Sequence, residues 1–123
     1  MLPGTTPSAP DDDGAVDPTL APLLVTGTTE EVGIALLSAR LLVPVVAMPA
    51  DGEAEMAVPA LVNEAGKRAL PVFSSYAALR AWRADARPVP MSGARVMAGA
   101  RAEGYDGVVL DVAGPHPFTF TIG

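Results

Sequence analysis

Proline falls inside the very segments from which this chain has to build a sheet. Among 13 prolines in 123 residues, Pro44 interrupts the apolar run Leu41 to Ala50, while Pro59 and Pro71 lie within the strand-like segments 55–62 and 68–73. Proline has no N–H for a ladder, so each must sit at an edge, a bulge or a strand end. The same interruption leaves no apolar run long enough to cross a bilayer. Half of the residues are hydrophobic and only 18% are charged. A chain of this length and composition is expected to form one domain with a core that needs no covalent staples.

Composition also removes whole classes of chemistry. With no cysteine, a disulfide scaffold, a zinc knuckle, a thiol nucleophile and a cysteine-ligated cluster are excluded. The single histidine, His116, leaves the common metal and acid–base sites short of parts, so neither a cofactor nor a metal is expected. The net charge is −6, which argues against nucleic acid as a partner. Asp11, Asp12, Asp13 and Asp17 carry four of those charges, leaving −2 for residues 18–123. Residues 1–17, rich in Pro, Gly, Ser, Thr and Asp, are expected to be a disordered leader to a domain spanning 18–123. The leader has neither the basic start nor the apolar stretch of a secretory signal. A cytoplasmic location without membrane contact is expected.

Local signals then give an order of elements. Asp17-Pro18 caps a short helix burying Leu20, Leu23 and Leu24. Thr28 and Glu31 form a capping box for a helix over 29–40. One side of that helix carries Val32, Ala35, Leu36 and Ala39 and another Ile34 and Leu37, a pattern of burial between layers or of a dimer face. A strand over 41–47 follows, then a loop with Asp51-Gly52 as its turn signal. Segments 55–62 and 68–73 flank Asn63 to Lys67 as a hairpin, with Gly66 supplying positive φ and Pro59 opposite Pro71 in a non-hydrogen-bonded pair. Ser74-Ser75 caps a helix over 76–83 with Tyr76, Leu79 and Trp82 inward and Ala77, Ala78, Ala81 and Ala84 outward. After an extended 87–90, Ser92-Gly93 opens a helix through Glu103, with Val96, Met97 and Ala100 inward and Gly104 as its stop. Strands around 108–110 and over 118–122 close the chain. Partial segregation of helices and strands predicts an α+β domain, with a mixed, mostly antiparallel sheet of about five strands and three main helices.

Three stretches carry a family resemblance. Leu41-Leu-Val-Pro-Val-Val46, Ala69-Leu-Pro-Val-Phe-Ser-Ser75 with Tyr-Ala-Ala-Leu-Arg-Ala-Trp82, and Gly104-Tyr-Asp-Gly-Val-Val-Leu-Asp-Val-Ala-Gly-Pro115 together resemble the SseB protein N-terminal domain family, over roughly residues 18–120. The composition resembles that of actinobacterial members. The family name comes from a serine-sensitivity phenotype, and the resemblance implies no catalytic residues to carry over.

The remaining candidates are few. Ser74, Ser75, Ser92 and Gly93, with Arg95 one turn on, mark two helix N-termini whose N–H groups suit a small anion or carboxylate, set against plain capping. Ala77, Ala81 and Ala84, with Arg80 and Arg83 at the margins, offer a smooth face to a protein partner or a second copy. Asp106 and Asp111 bracket a buried strand but point to opposite faces, so Asp111 is expected to anchor a turn. The expected function is a non-catalytic interaction or binding module; the alternatives are a small-ligand sensor for an amino acid or anion and, third, a small enzyme.

Overall fold

The computed structural model describes residues 13–50 and 53–122. In chain order the elements are α1 (Ala21–Thr26), α2 (Thr29–Leu36), β1 (Arg40–Ala50), β2 (Glu53–Ala57), β3 (Leu61–Val62), β4 (Arg68–Val72), α3 (Tyr76–Trp82), β5 (Arg87–Ser92), α4 (Gly93–Ala102), β6 (Gly107–Leu110) and β7 (Phe118–Thr121). The fold is α+β. Four helices accompany two sheets, ordered β2-β1-β5 and β3-β4-β6-β7, with only β4 and β6 parallel among the described residues. A bridge between Leu42 and Phe73 ties β1 to the end of β4, so the two sheets run on from one another.

The prolines set where strands change partners. Leu42 gives its N–H to the Phe73 carbonyl at 2.8 Å and accepts the Phe73 N–H at 2.9 Å. Even-numbered residues of β1 therefore turn away from β5, and Pro44 falls between the Leu42–Phe73 bridge and the first β2 pair, Val46–Ala57. There the missing N–H costs no ladder bond. Parity also corrects the expected hairpin. Its turn is as read: the Asn63 N–H reaches the Lys67 carbonyl at 3.0 Å, and Gly66 has φ of +82°. Pairing runs through Val62–Arg68 and Leu61–Ala69 and stops. Residues 63 and 67 are a hydrogen-bonded pair, so by alternation 59 and 71 would be one too. Two prolines cannot donate to it. Pairing ends there, and residues 53–57 instead run antiparallel to β1 from Val46–Ala57 to Ala50–Glu53. The strand thus continues through the expected loop over 48–50, while Asp51-Gly52 lies outside the described residues.

Strand alternation divides the interior. Leu41 and Val43 of β1 join Leu70, Val72, Val108 and Leu110 in the main core beneath α2 and α4. Leu42 and Val46 face the other way, into a second cluster with Phe73, Leu79 and Ala86. Each fully buried leucine or phenylalanine contributes about 2 kcal/mol. The capping box is present: the Glu31 N–H donates to Thr28 Oγ1 at 3.1 Å and the Thr28 N–H to Glu31 Oε1 at 2.8 Å. The helix it starts ends at Leu36 rather than Arg40, because Arg40 already belongs to β1. Val32, Leu36 and Ala39 are buried, but Ile34 is 70% exposed and Leu37 46%. Only one side of α2 packs; the expectation of burial between two layers is corrected.

The leader also needs a boundary. Residues 1–12 lie outside the described residues, whereas 13–17 are fastened to the domain. Val16 packs against the main core, the Tyr76 N–H reaches the Gly14 carbonyl at 2.8 Å, and Arg40 donates to the Ala15 carbonyl. Asp17 Oδ1 accepts from the Thr19 N–H at 2.9 Å, so it turns the chain one step before α1, whose N-cap is Leu20.

Candidate binding groove

The two helix N-termini, alike in sequence, end up in different surroundings. At α4, Ser92 Oγ accepts the Arg95 N–H at 3.3 Å, as a cap should. The Gly93 N–H donates to the Ala39 carbonyl at 3.0 Å and the Ala94 N–H to the Leu37 carbonyl at 2.9 Å. The end of α2 thus feeds its carbonyls into the start of α4. Opposite dipole ends meet, and the N–H groups expected to hold an anion at Ser92-Gly93 are engaged. Glycine is required here: a Cβ on Gly93 would lie 1.7 Å from the Leu36 carbonyl oxygen.

At α3, Ser75 is the cap, accepting the Ala78 N–H at 3.0 Å. Ser74 does something else. Its Oγ donates to Asp111 Oδ2 at 2.6 Å, its N–H to Asp111 Oδ1 at 2.8 Å, and its carbonyl accepts from Arg40 at 3.2 Å. Ser74 is only 2% exposed. Asp111 adopts a left-handed φ of 55°, and its N–H donates to the Val72 carbonyl at 2.9 Å. Burial pushes the Asp111 carboxyl above its ordinary range, against the two Ser74 hydrogen bonds, which favour the charged form. At the opposite end of the same strand pair, Asp106 Oδ2 accepts the Arg68 N–H at 2.9 Å. The two aspartates thus clamp the two ends of the parallel pair β4–β6, as the anchoring expectation for Asp111 requires.

The alanine face is smaller than its sequence spacing predicts. Ala77 and Ala81 are exposed, but Ala78 packs against the second cluster. Ala84 lies past the end of α3, because Arg83 is extended at φ −149°. Arg83 is engaged by Asp85 through bonds of 3.1 and 2.9 Å, which hold the Asp85 carboxyl below its ordinary value. Arg80 lies over the Tyr76 ring at 5.4 Å. Of the inward set, Leu79 is buried and Trp82 half-buried against Phe73 with ring centres 5.4 Å apart, while Tyr76 stays 39% exposed. His116 stands exposed in the turn before β7.

One predicted residue does line a concave surface. Arg95 borders a groove of about 440 Å³ with Val43, Leu70, Met91, Val96 and Ala100 beneath it and Val58, Gly99, Glu103 and Tyr105 around it. Arg95, Gly99 and the C-cap Glu103 follow each other at four-residue intervals along one stripe of α4, so the backbone positions of the two charged residues stand about 12 Å apart. The Arg68 guanidinium covers the Tyr105 ring at 4.5 Å. A second hollow of about 500 Å³ lies on the outer face of β3-β4-β6-β7, over Ala69, Gly107, Val109, Thr119 and Thr121. Leu61, Asn63, Lys67, Arg68 and Asp106 also line it, but none of its lining belongs to the buried main core. The α4 groove opens onto the main core, offers apolar depth, and has one charge of each sign at its ends; it is the better site. Sequence spacing alone gave Arg95 but not Val58 or Tyr105, which reach the groove from other segments.

Against known families, the model for the SseB protein N-terminal domain matches residues 23–122. The chain belongs to that family. The match begins in α1 and ends after β7, so this SseB domain holds the groove, the α2–α4 junction and both aspartate clamps within the family's own span. No curated protein and no solved structure matches the chain. Among the described residues, no helix is long and apolar enough to cross a membrane, and no group of three or more His, Cys, Asp or Glu side chains could hold a metal ion.

Proposed function

We propose that this SseB domain is a non-catalytic binding module that takes an apolar segment of a protein partner into the α4 groove. The observation that carries the reading is the groove itself: main-core side chains at its base, with the backbone positions of Arg95 and Glu103 about 12 Å apart on one helix stripe. Apolar depth supplies affinity, and two fixed charges of opposite sign orient an extended chain. A non-catalytic role is supported by the fate of the close hydroxyl–carboxylate pair Ser74–Asp111. Ser74 is sealed at 2% exposure, where no substrate reaches it. The acidic balance favours a protein over a nucleic acid as the partner. A chain without cysteine needs no oxidising compartment, which fits a cytoplasmic place of action.

Gly99→Leu tests the reading. A Cβ at Gly99 meets nothing within 4 Å, so the leucine should enter the groove without disturbing the fold. Replacing a mid-helix glycine should raise helix stability by up to about 1 kcal/mol. Thermal shifts and NMR titration with capped apolar di- and tripeptides should register binding to the wild-type chain and lose it in Gly99→Leu. A panel without a binder, or binding that Gly99→Leu leaves intact, sinks the proposal. The guanidinium of Arg95 favours a second reading, a sensor for free amino acids. In that case the free amino acids bind, the capped peptides do not, and Arg95→Gln abolishes the response.

A further inference from the structure

The two sheets have four outer strands: β2, β5, β3 and β7. Three are unsuited to accept another strand. Because Leu42 turns its backbone groups toward Phe73, its pair with Pro90 and the Pro44–Pro88 pair are non-hydrogen-bonded, which aims the nitrogens of Pro88 and Pro90 outward. The free edge of β5 therefore lacks donors at both positions. β3 is two residues long, and β2 carries two glutamates in five residues. β7 has none of these devices. Its four residues, Phe-Thr-Phe-Thr, hold no charge and no proline.

The outward groups of β7 can be assigned. The Ile122 N–H donates to the Asp106 carbonyl at 2.9 Å. Even-numbered residues 118 to 122 thus face β6, and the N–H and C=O of Thr119 and Thr121 point away from the sheet. We infer that β7 is a docking edge for a second copy of this chain, paired antiparallel about a two-fold axis at Phe120. In that register Thr119 lies opposite Thr121 of the second copy, and the reverse, giving four backbone hydrogen bonds and two uncharged threonine pairs on the outer face. Phe120 meets its own counterpart on the inner face. The strand complements itself without slip or like-charge opposition, which favours a second copy over a foreign peptide. This inference uses no residue of the α4 groove and stands apart from it.

Sedimentation velocity over a concentration series should show a monomer–dimer equilibrium, and amide exchange at Thr119 and Thr121 should slow as concentration rises. Both threonines are exposed, so Thr119→Lys with Thr121→Lys should fold, as circular dichroism would verify. That pair puts like charges opposite one another and should weaken association by at least about tenfold. Thr119→Glu with Thr121→Glu should do the same, and an equimolar mixture of the two variants should associate again. The inference is overturned by a wild-type chain that stays monomeric, by a dimer indifferent to the lysine pair, or by a mixture that fails to re-associate. The exchange measurement needs no variant, so it decides even where a substituted chain misfolds.

Discussion

The starts of α3 and α4 look alike in sequence, each a serine N-cap within two residues of another small residue, yet the molecule uses them in opposite ways. At α4 the N–H groups meet the carbonyls of another helix, and Gly93 lets the two backbones touch. At α3 the cap serves the helix alone, while Ser74 just before it is drawn off to Asp111. A capping residue announces where a helix begins. What lies in front of that helix is decided by segments far away in the chain.

Breaking the α4 end should have the largest effect. Gly93→Ala places a methyl group 1.7 Å from the Leu36 carbonyl oxygen, so the α2–α4 junction must open and release two backbone hydrogen bonds. A loss of about 4 kcal/mol or more is expected, among the severest for one substitution, read as a lower urea midpoint. Breaking the α3 end comes next. Asp111→Ala leaves the buried Ser74 N–H and hydroxyl without their acceptor, a cost of about 2–4 kcal/mol. Asp111→Asn adds a pH signature with a definite sign. The folded carboxyl is raised above its unfolded value, so the native state holds the proton more tightly. Stability from this group is complete below the unfolded value, near pH 4, and is lost as pH rises through the raised folded value. The wild-type chain should therefore lose ground to Asp111→Asn over that window in paired urea titrations. The smallest effects sharpen the comparison: Ser75→Ala and Ser92→Ala should each cost about 1 kcal/mol. Equal losses would locate the difference between the two ends in their distant partners; a much larger loss at Ser92 would make the cap part of the junction.

Much of the fold could be read locally. The Thr28–Glu31 box, the turn centred on Ala65, the Ser75 cap and the Gly104 stop are each set by residues within five positions of one another, and each forms. Misreadings arose where two local signals competed for one segment. Residues 53–57 lie between the Asp51-Gly52 signal and the Asn63 turn; the prolines at 59 and 71 close the second route, and pairing with β1 takes the segment. The second side of α2 was misread for a related reason. Apolar residues at Ile34 and Leu37 predict burial only where a neighbouring layer exists to cover them. For the groove, Arg95 was legible as a charge one turn into a helix, whereas Val58 and Tyr105 reach it through tertiary packing that no periodicity encodes. The Ser74–Asp111 clamp has a faint trace in sequence: two serines precede α3, and a helix uses one as its cap.

The parallel pairing of β4 with β6 also bears on the order in which the domain is expected to assemble. Its clamps join Arg68 to Asp106 and Ser74 to Asp111, 38 and 37 residues apart, with α3, β5 and α4 strung between. Closing so long a loop costs chain entropy before any contact across it can return the favour. The β1–β2 and β3–β4 hairpins close over short loops and gain their contacts at once. The hairpins are therefore expected to form first, and the search for the distant registers to set the pace, both β4–β6 and β1–β5, in which Arg40 pairs with Ser92. Clamps that form only when both strand ends are in place act late in that search: they lengthen the lifetime of the finished sheet far more than they hasten its formation.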